Sequence, residues 1–257
     1  MTVPFENDTG NIVRKLARKS LKSEKRRNLM VVIAVALASC LICFSIVMAL
    51  STRQIEKNHV EDTYEAVYTK ITEEDVSSLK GLDDFSRVGE YYMLAVEPAE
   101  QGYNASYIYC DEETMYIARD QMKLLEGRLP QKEDEVVVSR YFLSNYGADA
   151  GIGEKVMLSS ESFHGEYTVT GIMEGYKEKE VNGTSILLSK EALKGWSGYD
   201  PADYRAYVHF KNEQQMDETE LTARSREIAK EYQLEMPVMN LSYMKFYKQP
   251  VNVSMLA

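Results

Sequence analysis

Residues 29–50 read LMVVIAVALASCLICFSIVMAL, with no charged residue, no proline and no glycine. Nothing else in the chain restricts its folding as much. A helix rises about 1.5 Å per residue, so this run reaches about 33 Å, and the hydrocarbon core of a bilayer is about 30 Å thick. The apolar core of a signal peptide is shorter, about 7 to 15 residues. The run therefore predicts a transmembrane helix, with everything after residue 50 on one side of a membrane.

Charge orients the span. Before it stand eight basic residues (Arg14, Lys15, Arg18, Lys19, Lys22, Lys25, Arg26, Arg27) against Glu6, Asp8 and Glu24, a net of +5. After it stand 22 basic and 37 acidic residues, a net of −15. Lys and Arg beside a span stay on the cytoplasmic side. The expected topology has a cytoplasmic N-terminus and 207 residues outside. So acidic an outer part repels nucleic acid, and nucleic-acid binding is excluded as a function.

The cysteines agree with a span. Leu37-Ala38-Ser39-Cys40 has the form of a lipobox, after which a lipoprotein would be cut and lipidated on Cys40. Residues 41–50 continue LICFSIVMAL, though, which would be costly to leave in water. Cys40 and Cys43 form a CxxC with no second metal-ligand pair nearby, and read as small apolar residues of the span. Cys110 is the single cysteine after the span, so the outer part depends on its own core rather than on disulfides. That usage suits the extracytoplasmic domain of a bacterium that does not rely on disulfides, as in Gram-positive species.

The cytoplasmic lead is patterned. Asn11 can cap a helix whose apolar residues Ile12, Val13, Leu16, Ala17 and Leu21 share one face, and the other face is basic. Such a helix is expected along the inner leaflet with its charges at anionic head groups. A plain positive-inside anchor accounts for the same residues.

The outer part reads as an α+β (mixed α/β) domain. A polar helical stalk is expected over residues 51–62. Strands are expected over residues 64–71, 88–96, 105–109, 115–118, 135–139, 155–158, 167–173, 186–188 and 204–210. Thr72-Glu-Glu-Asp75 resembles a capping box that opens a helix through Lys80. Further helices are expected over residues 140–146, 189–194 and 217–232, the last with Leu221, Ile228 and Ala229 inward. The division predicted is 1–28 cytoplasmic segment, 29–50 transmembrane helix, 51–242 extracytoplasmic domain, and 243–257 approach to a second span. The last stretch grows more apolar as it ends, which suggests truncation.

No catalytic, cofactor-binding or metal-binding residue is assigned. GxxxxGK[ST], HExxH and GxSxG are all absent. His59, His164 and His209 are scattered and read as ordinary core or surface residues. The acid clusters Asp111-Glu112-Glu113 and Glu133-Asp134-Glu135 lack calcium-loop spacing and read as solvated turns. The sequons at Asn104, Asn182, Asn240 and Asn252 matter only in a eukaryotic secretory route. Of the 18 tyrosines, Tyr199, Tyr204 and Tyr207 near Trp196 offer a recognition surface, with plain core packing favoured.

One ordered set remains. Gly127-Arg128-Leu129-Pro130 precedes Glu135-Val-Val-Val-Ser139, then Gly151-Ile-Gly153-Glu-Lys-Val156, then Tyr167-Thr-Val-Thr-Gly171-Ile172. It reads as a turn, a buried strand, a glycine-rich turn feeding a strand, and another strand ending at glycine, with the glycines supplying backbone angles other residues avoid. In this order, after Leu16-Ala-Arg-Lys-Ser20 and Lys25-Arg-Arg-Asn-Leu29 leading into a span, it resembles the extracytoplasmic core domain of the MacB/FtsX-like ABC transporter permeases. The resemblance covers essentially the whole chain. It implies a non-catalytic permease with four or more spans and the outer domain between the first two. The implied partners are a cytoplasmic ABC-type ATPase, a second permease copy (homo- or heterodimer) and membrane lipid. Motion would pass from the ATPase to the outer domain by mechanotransmission, for export of peptides or antibiotics, defence against them, or related envelope work. The chain departs from the family by stopping before a second span. The alternative is a single-pass or lipid-anchored binding or sensor protein.

Overall fold

The computed structural model describes residues 9–23, 25–100, 102–119, 121–145, 150–175, 178 and 182–248. The chain divides into two compact units, Met1–Glu56 and Lys57–Ala257.

In the first unit, helix α1 spans Thr9–Ser23. It begins two residues before Asn11, so Asn11 lies within the first turn rather than at the cap. Helix α2 is continuous over Lys25–Val60, 36 residues. Its part over Lys25–Asn58 is long and apolar enough to cross a membrane. Side chains such as Val32, Leu37, Leu41 and Val47 point outward uncovered, as lipid-facing residues do. The polar residues after Leu50 stay helical to Val60, as expected of a stalk.

The second unit is built on a mixed ten-stranded sheet. Its strands are β1 (Ala66–Ile71), β2 (Phe85–Pro98), β3 (Asn104–Cys110), β4 (Met122–Gly127), β5 (Glu135–Ser139), β6 (Lys155–Ser159), β7 (His164–Gly175), β8 (Gly183–Leu188), β9 (Tyr204–Phe210) and β10 (Val238–Met239). The order is β10-β1-β9-β2-β3-β8-β5-β7-β4, with β6 also on β7. The pairs β3/β8 and β5/β7 are parallel and the other pairs antiparallel.

Both faces of the sheet are covered. Alternation along β5 shows why Val136-Val137-Val138 is a continuous apolar run: all three are fully buried, the outer two in one core and Val137 in the other. On the larger core pack α3 (Glu73–Lys80), α5 (Arg140–Asn145), α6 (Lys190–Gly195) and α7 (Glu218–Glu231), through Val76, Leu79, Phe142, Leu193, Leu221 and Ile228. The capping box at α3 is present: Thr72 Oγ1 accepts from the Asp75 N–H at 3.1 Å, and Asp75 accepts from the Thr72 N–H at 2.8 Å. Asp217 and Glu220 do the same for α7.

The smaller core carries α4 (Glu112–Ile117), where a strand was expected over residues 115–118. Asp111 decides this. Its carboxylate accepts the Thr114 N–H at 2.9 Å and starts a helix that buries Thr114, Met115, Ile117 and Ala118, a helical spacing rather than an alternating one. Asp111 is therefore a cap and not part of a solvated turn. Strand β4 was not anticipated; MKLLEG alternates poorly and is held by pairing with β7.

Candidate functional site

The site is where the segment that follows α2 meets the segment that follows β10, at the edge of the sheet. At the end of α2, the Thr63 hydroxyl donates to the Val60 carbonyl at 2.8 Å, while Asp62 turns the chain with φ of 51°. The Glu65 N–H donates to Val208 O at 3.0 Å and starts β1 against β9. The C-terminal segment lies alongside. In β10, Met239 and Val238 pair with Ala66 and Val67. The buried Asn240 then ties the two segments: its Nδ2 donates to Tyr64 O at 2.9 Å and its backbone N–H to Glu65 O at 2.8 Å. Its Oδ1 accepts from the Tyr243 N–H at 3.1 Å and caps helix α8 (Leu241–Tyr243). The following turn of π-helix, Met244–Lys248, stacks Tyr247 on Tyr243 with ring centres 5.1 Å apart. The Tyr247 hydroxyl donates to Lys57 O at 3.4 Å, and the Lys57 ammonium lies 5.0 Å from the Tyr247 ring centre.

An ion pair sits inside this junction. The Glu65 side chain is fully buried. Its carboxylate accepts from the Phe210 N–H at 2.8 Å and from His209 Nδ1 at 2.6 Å. His209 Nδ1 is also 3.1 Å from Thr63 O, so two acceptors hold a proton on that nitrogen. Burial alone would lower the His209 pKa; the hydrogen bond and charge of Glu65 outweigh it and the pKa is raised. Burial raises the Glu65 pKa, against the pull of His209. One carboxylate thus joins the inbound segment to the end of β9.

The glycine-bearing set forms a second constellation. Arg128 grips Glu135 through two hydrogen bonds of 2.8 Å, and Glu135 also accepts the Gln131 N–H at 2.9 Å. The Arg128 guanidinium and the Gln131 amide push the Glu135 carboxyl down to about 2. Glu135 is buried and pinned, where a solvated turn was expected; its neighbours Glu133 and Asp134 are exposed. Gly127 and Gly153 have φ of 82° and 88°, the left-handed region that favours glycine. Gly171 does not. A side chain there would sit 2.8 Å from Arg128 O, so close strand approach is what requires glycine. Gly151 has neither constraint.

The remaining sequence candidates disperse. His164 is exposed at the start of β7, and the side chain of His59 and all of Asn252 lie outside the described residues. Tyr204 and Tyr207 face opposite sides of the sheet: Tyr204 packs on Tyr92 at 5.1 Å between ring centres, Tyr207 on Tyr64 at 4.7 Å. Tyr204 and Tyr207 are core, and Tyr199 and Trp196 are partly buried against it. Cys110 is buried, and burial pushes its thiol up. Among the described residues no three His, Cys, Asp or Glu side chains converge as metal ligands. Sequence reasoning missed Glu65 and Asn240. Glu65 had no local signal, and Asn240 carried only its spacing before Tyr243.

A profile of the MacB-like periplasmic core domain matches residues 29–226, more than half of the chain. The chain belongs to this family. No curated protein sequence matches it. Solved structures similar to it include the extracellular domain of the noncanonic ABC-type transporter YknZ from Gram-positive bacteria, with 14% identity and a TM-score of 0.48 over 69% of this chain and 100% of that one. The periplasmic region of MacB from Actinobacillus actinomycetemcomitans is 10% identical with a TM-score of 0.49, over 72% of this chain and 91% of that one.

Proposed function

We propose that this chain is the first span and outer domain of an FtsX/MacB-like ABC permease subunit, non-catalytic itself, that couples a separate cytoplasmic ATPase to an extracytoplasmic domain by mechanotransmission. The N-terminus is cytoplasmic, and the working unit contains the ATPase and a second permease copy. Its work is export of, or defence against, peptides or antibiotics, or related envelope work. The observation that carries this reading is the pairing of inbound and outbound chain through Asn240, Glu65 and the Lys57/Tyr247 contact. A domain tied in this way feels relative movement of its two connections directly. No step of bond chemistry is required of it.

The test is co-expression of the permease gene with its ATPase gene, followed by purification and a resistance or export assay. The ATPase is expected to co-purify, and Asn240→Ala is expected to leave ATP hydrolysis intact while resistance falls. A permease that purifies without any ATPase, or an Asn240→Ala complex with full resistance, refutes the proposal.

A further inference from the structure

Helix α1 has two sides of opposite chemistry and nothing within the described residues covers either. At about 100° per residue, Ile12, Leu16, Val13 and Ala17 fill an arc of about 140°, and Arg14, Arg18, Lys15 and Lys19 fill another of about 140° on the opposite side. Ile12, Val13 and Leu16 are 59%, 61% and 64% exposed. The four cations are exposed as well, and none has an ion-pair partner among the described residues. The sequence of α1, TGNIVRKLARKSLKS, contains no acid. A purely solvated helix would not keep three large aliphatic side chains in one arc, and a core helix would not keep four unpaired cations.

Chain continuity says which apolar phase is within reach. One residue separates α1 from α2, and the apolar run begins at Leu29, six residues after Ser23. Six residues span about 9 Å as helix and about 20 Å fully extended. The surface of the bilayer that α2 crosses is therefore always available to α1. Aliphatic side chains between lipid tails, with arginine and lysine at the phosphates, satisfy both arcs at once. We propose that α1 docks on the anionic phospholipid head groups beside the span and reads the surface charge of that leaflet. This goes beyond the coupling reading and rests only on residues 29–50 being a span. The cations supply attraction that scales with surface charge, and the aliphatic arc supplies insertion that does not.

The experiment uses the full chain in nanodiscs of phosphatidylcholine alone, or mixed with phosphatidylglycerol, with bromine on the acyl chains as quencher. Trp196 is the only tryptophan, so Trp196→Phe with Leu16→Trp gives a single reporter on the apolar arc. Strong quenching is expected with phosphatidylglycerol, several-fold less with phosphatidylcholine alone. High salt should reduce it, because charges are then screened within about 3 Å at 1 M. Changing Arg14, Lys15, Arg18 and Lys19 together to Gln should do the same. Ile12→Trp should repeat the result, and Lys15→Trp should be quenched less. Equal quenching in both lipids at all salts overturns charge reading and leaves apolar insertion alone. Equal quenching of Leu16→Trp and Lys15→Trp overturns the orientation. No quenching in either lipid overturns the docking, and would place α1 in water or on a protein such as the ATPase. A chain that does not stay in the discs overturns the span, and with it the docking.

Discussion

Replacing Glu135 by glutamine tests the grip at the first glycine turn. The change keeps the shape and removes the charge held by Arg128. An ordinary glutamate has the value 4.5, and Glu135 is pushed down to about 2. A depression of about 2.5 pH units at about 1.36 kcal/mol each gives a ceiling of about 3.4 kcal/mol. The Glu135 side chain is 8% exposed but that of Arg128 is 49% exposed, so water screens the pair from one side. Discounting by about half leaves 1.5 to 2 kcal/mol at neutral pH. The sign follows from the direction. A carboxyl whose folded pKa is depressed contributes fully above its unfolded value near 4.5, and the contribution is lost as pH falls through about 2. Thermal unfolding of the full chain in detergent, followed by Trp196 fluorescence, measures it. For a unit of about 200 residues the variant should melt about 3 to 8 °C lower at pH 7. The gap should close progressively between pH 5 and pH 2. A gap that stays constant over that interval would show that Glu135 does not owe its contribution to charge.

Three other outcomes are expected. His209→Gln leaves buried Glu65 without its cation and should cost about 3 kcal/mol at pH 7. Because burial raises the Glu65 pKa, that cost should shrink as pH falls and Glu65 takes up a proton; in the wild type, the stability from the raised His209 pKa is full below about 6.5 and declines as pH rises through the raised value. A pH series of melting curves for both proteins checks this, and parallel curves would count against it. Gly153→Val should cost about 1 to 2 kcal/mol through backbone strain alone, since a side chain at Gly153 meets nothing within 4 Å. Gly153→Asn should recover much of that, and a Val variant with an unchanged melting curve would remove the turn argument. Changing Lys25, Arg26 and Arg27 to Glu should invert or block insertion, read with reporter fusions after residue 50; unaltered export would refute the proposed orientation.

The sequence made the long apolar helix, the strands with β-branched alternation and the capped helices legible, because each of these rests on local chemistry. Strand β9 was anticipated at its own bounds, Tyr204–Phe210, and Thr72 and Asp75 form the box their spacing suggests. What failed was decided at a distance or by a competing cap. Residues 115–118 look extended until Asp111 is recognised as a cap, and β4 exists because β7 offers it an edge. Glu135 looked solvated because Arg128, seven residues away, has no visible relation to it until the turn brings them together. The junction was least legible. Glu65 meets His209 across 144 residues and Asn240 meets Tyr64 across 176, separations at which no periodicity carries information.

Because the inbound and outbound strands are laced to each other, the outer domain behaves as a cassette. Strands β2 to β8, with α3 to α6, form one excursion between two neighbouring strands, β1 and β9. Loops of that excursion remote from β1 and β9 can change length without changing the spacing at Tyr64 and Asn240, whereas Ile117, whose carbonyl accepts the Tyr64 N–H at 3.0 Å, is part of the tie.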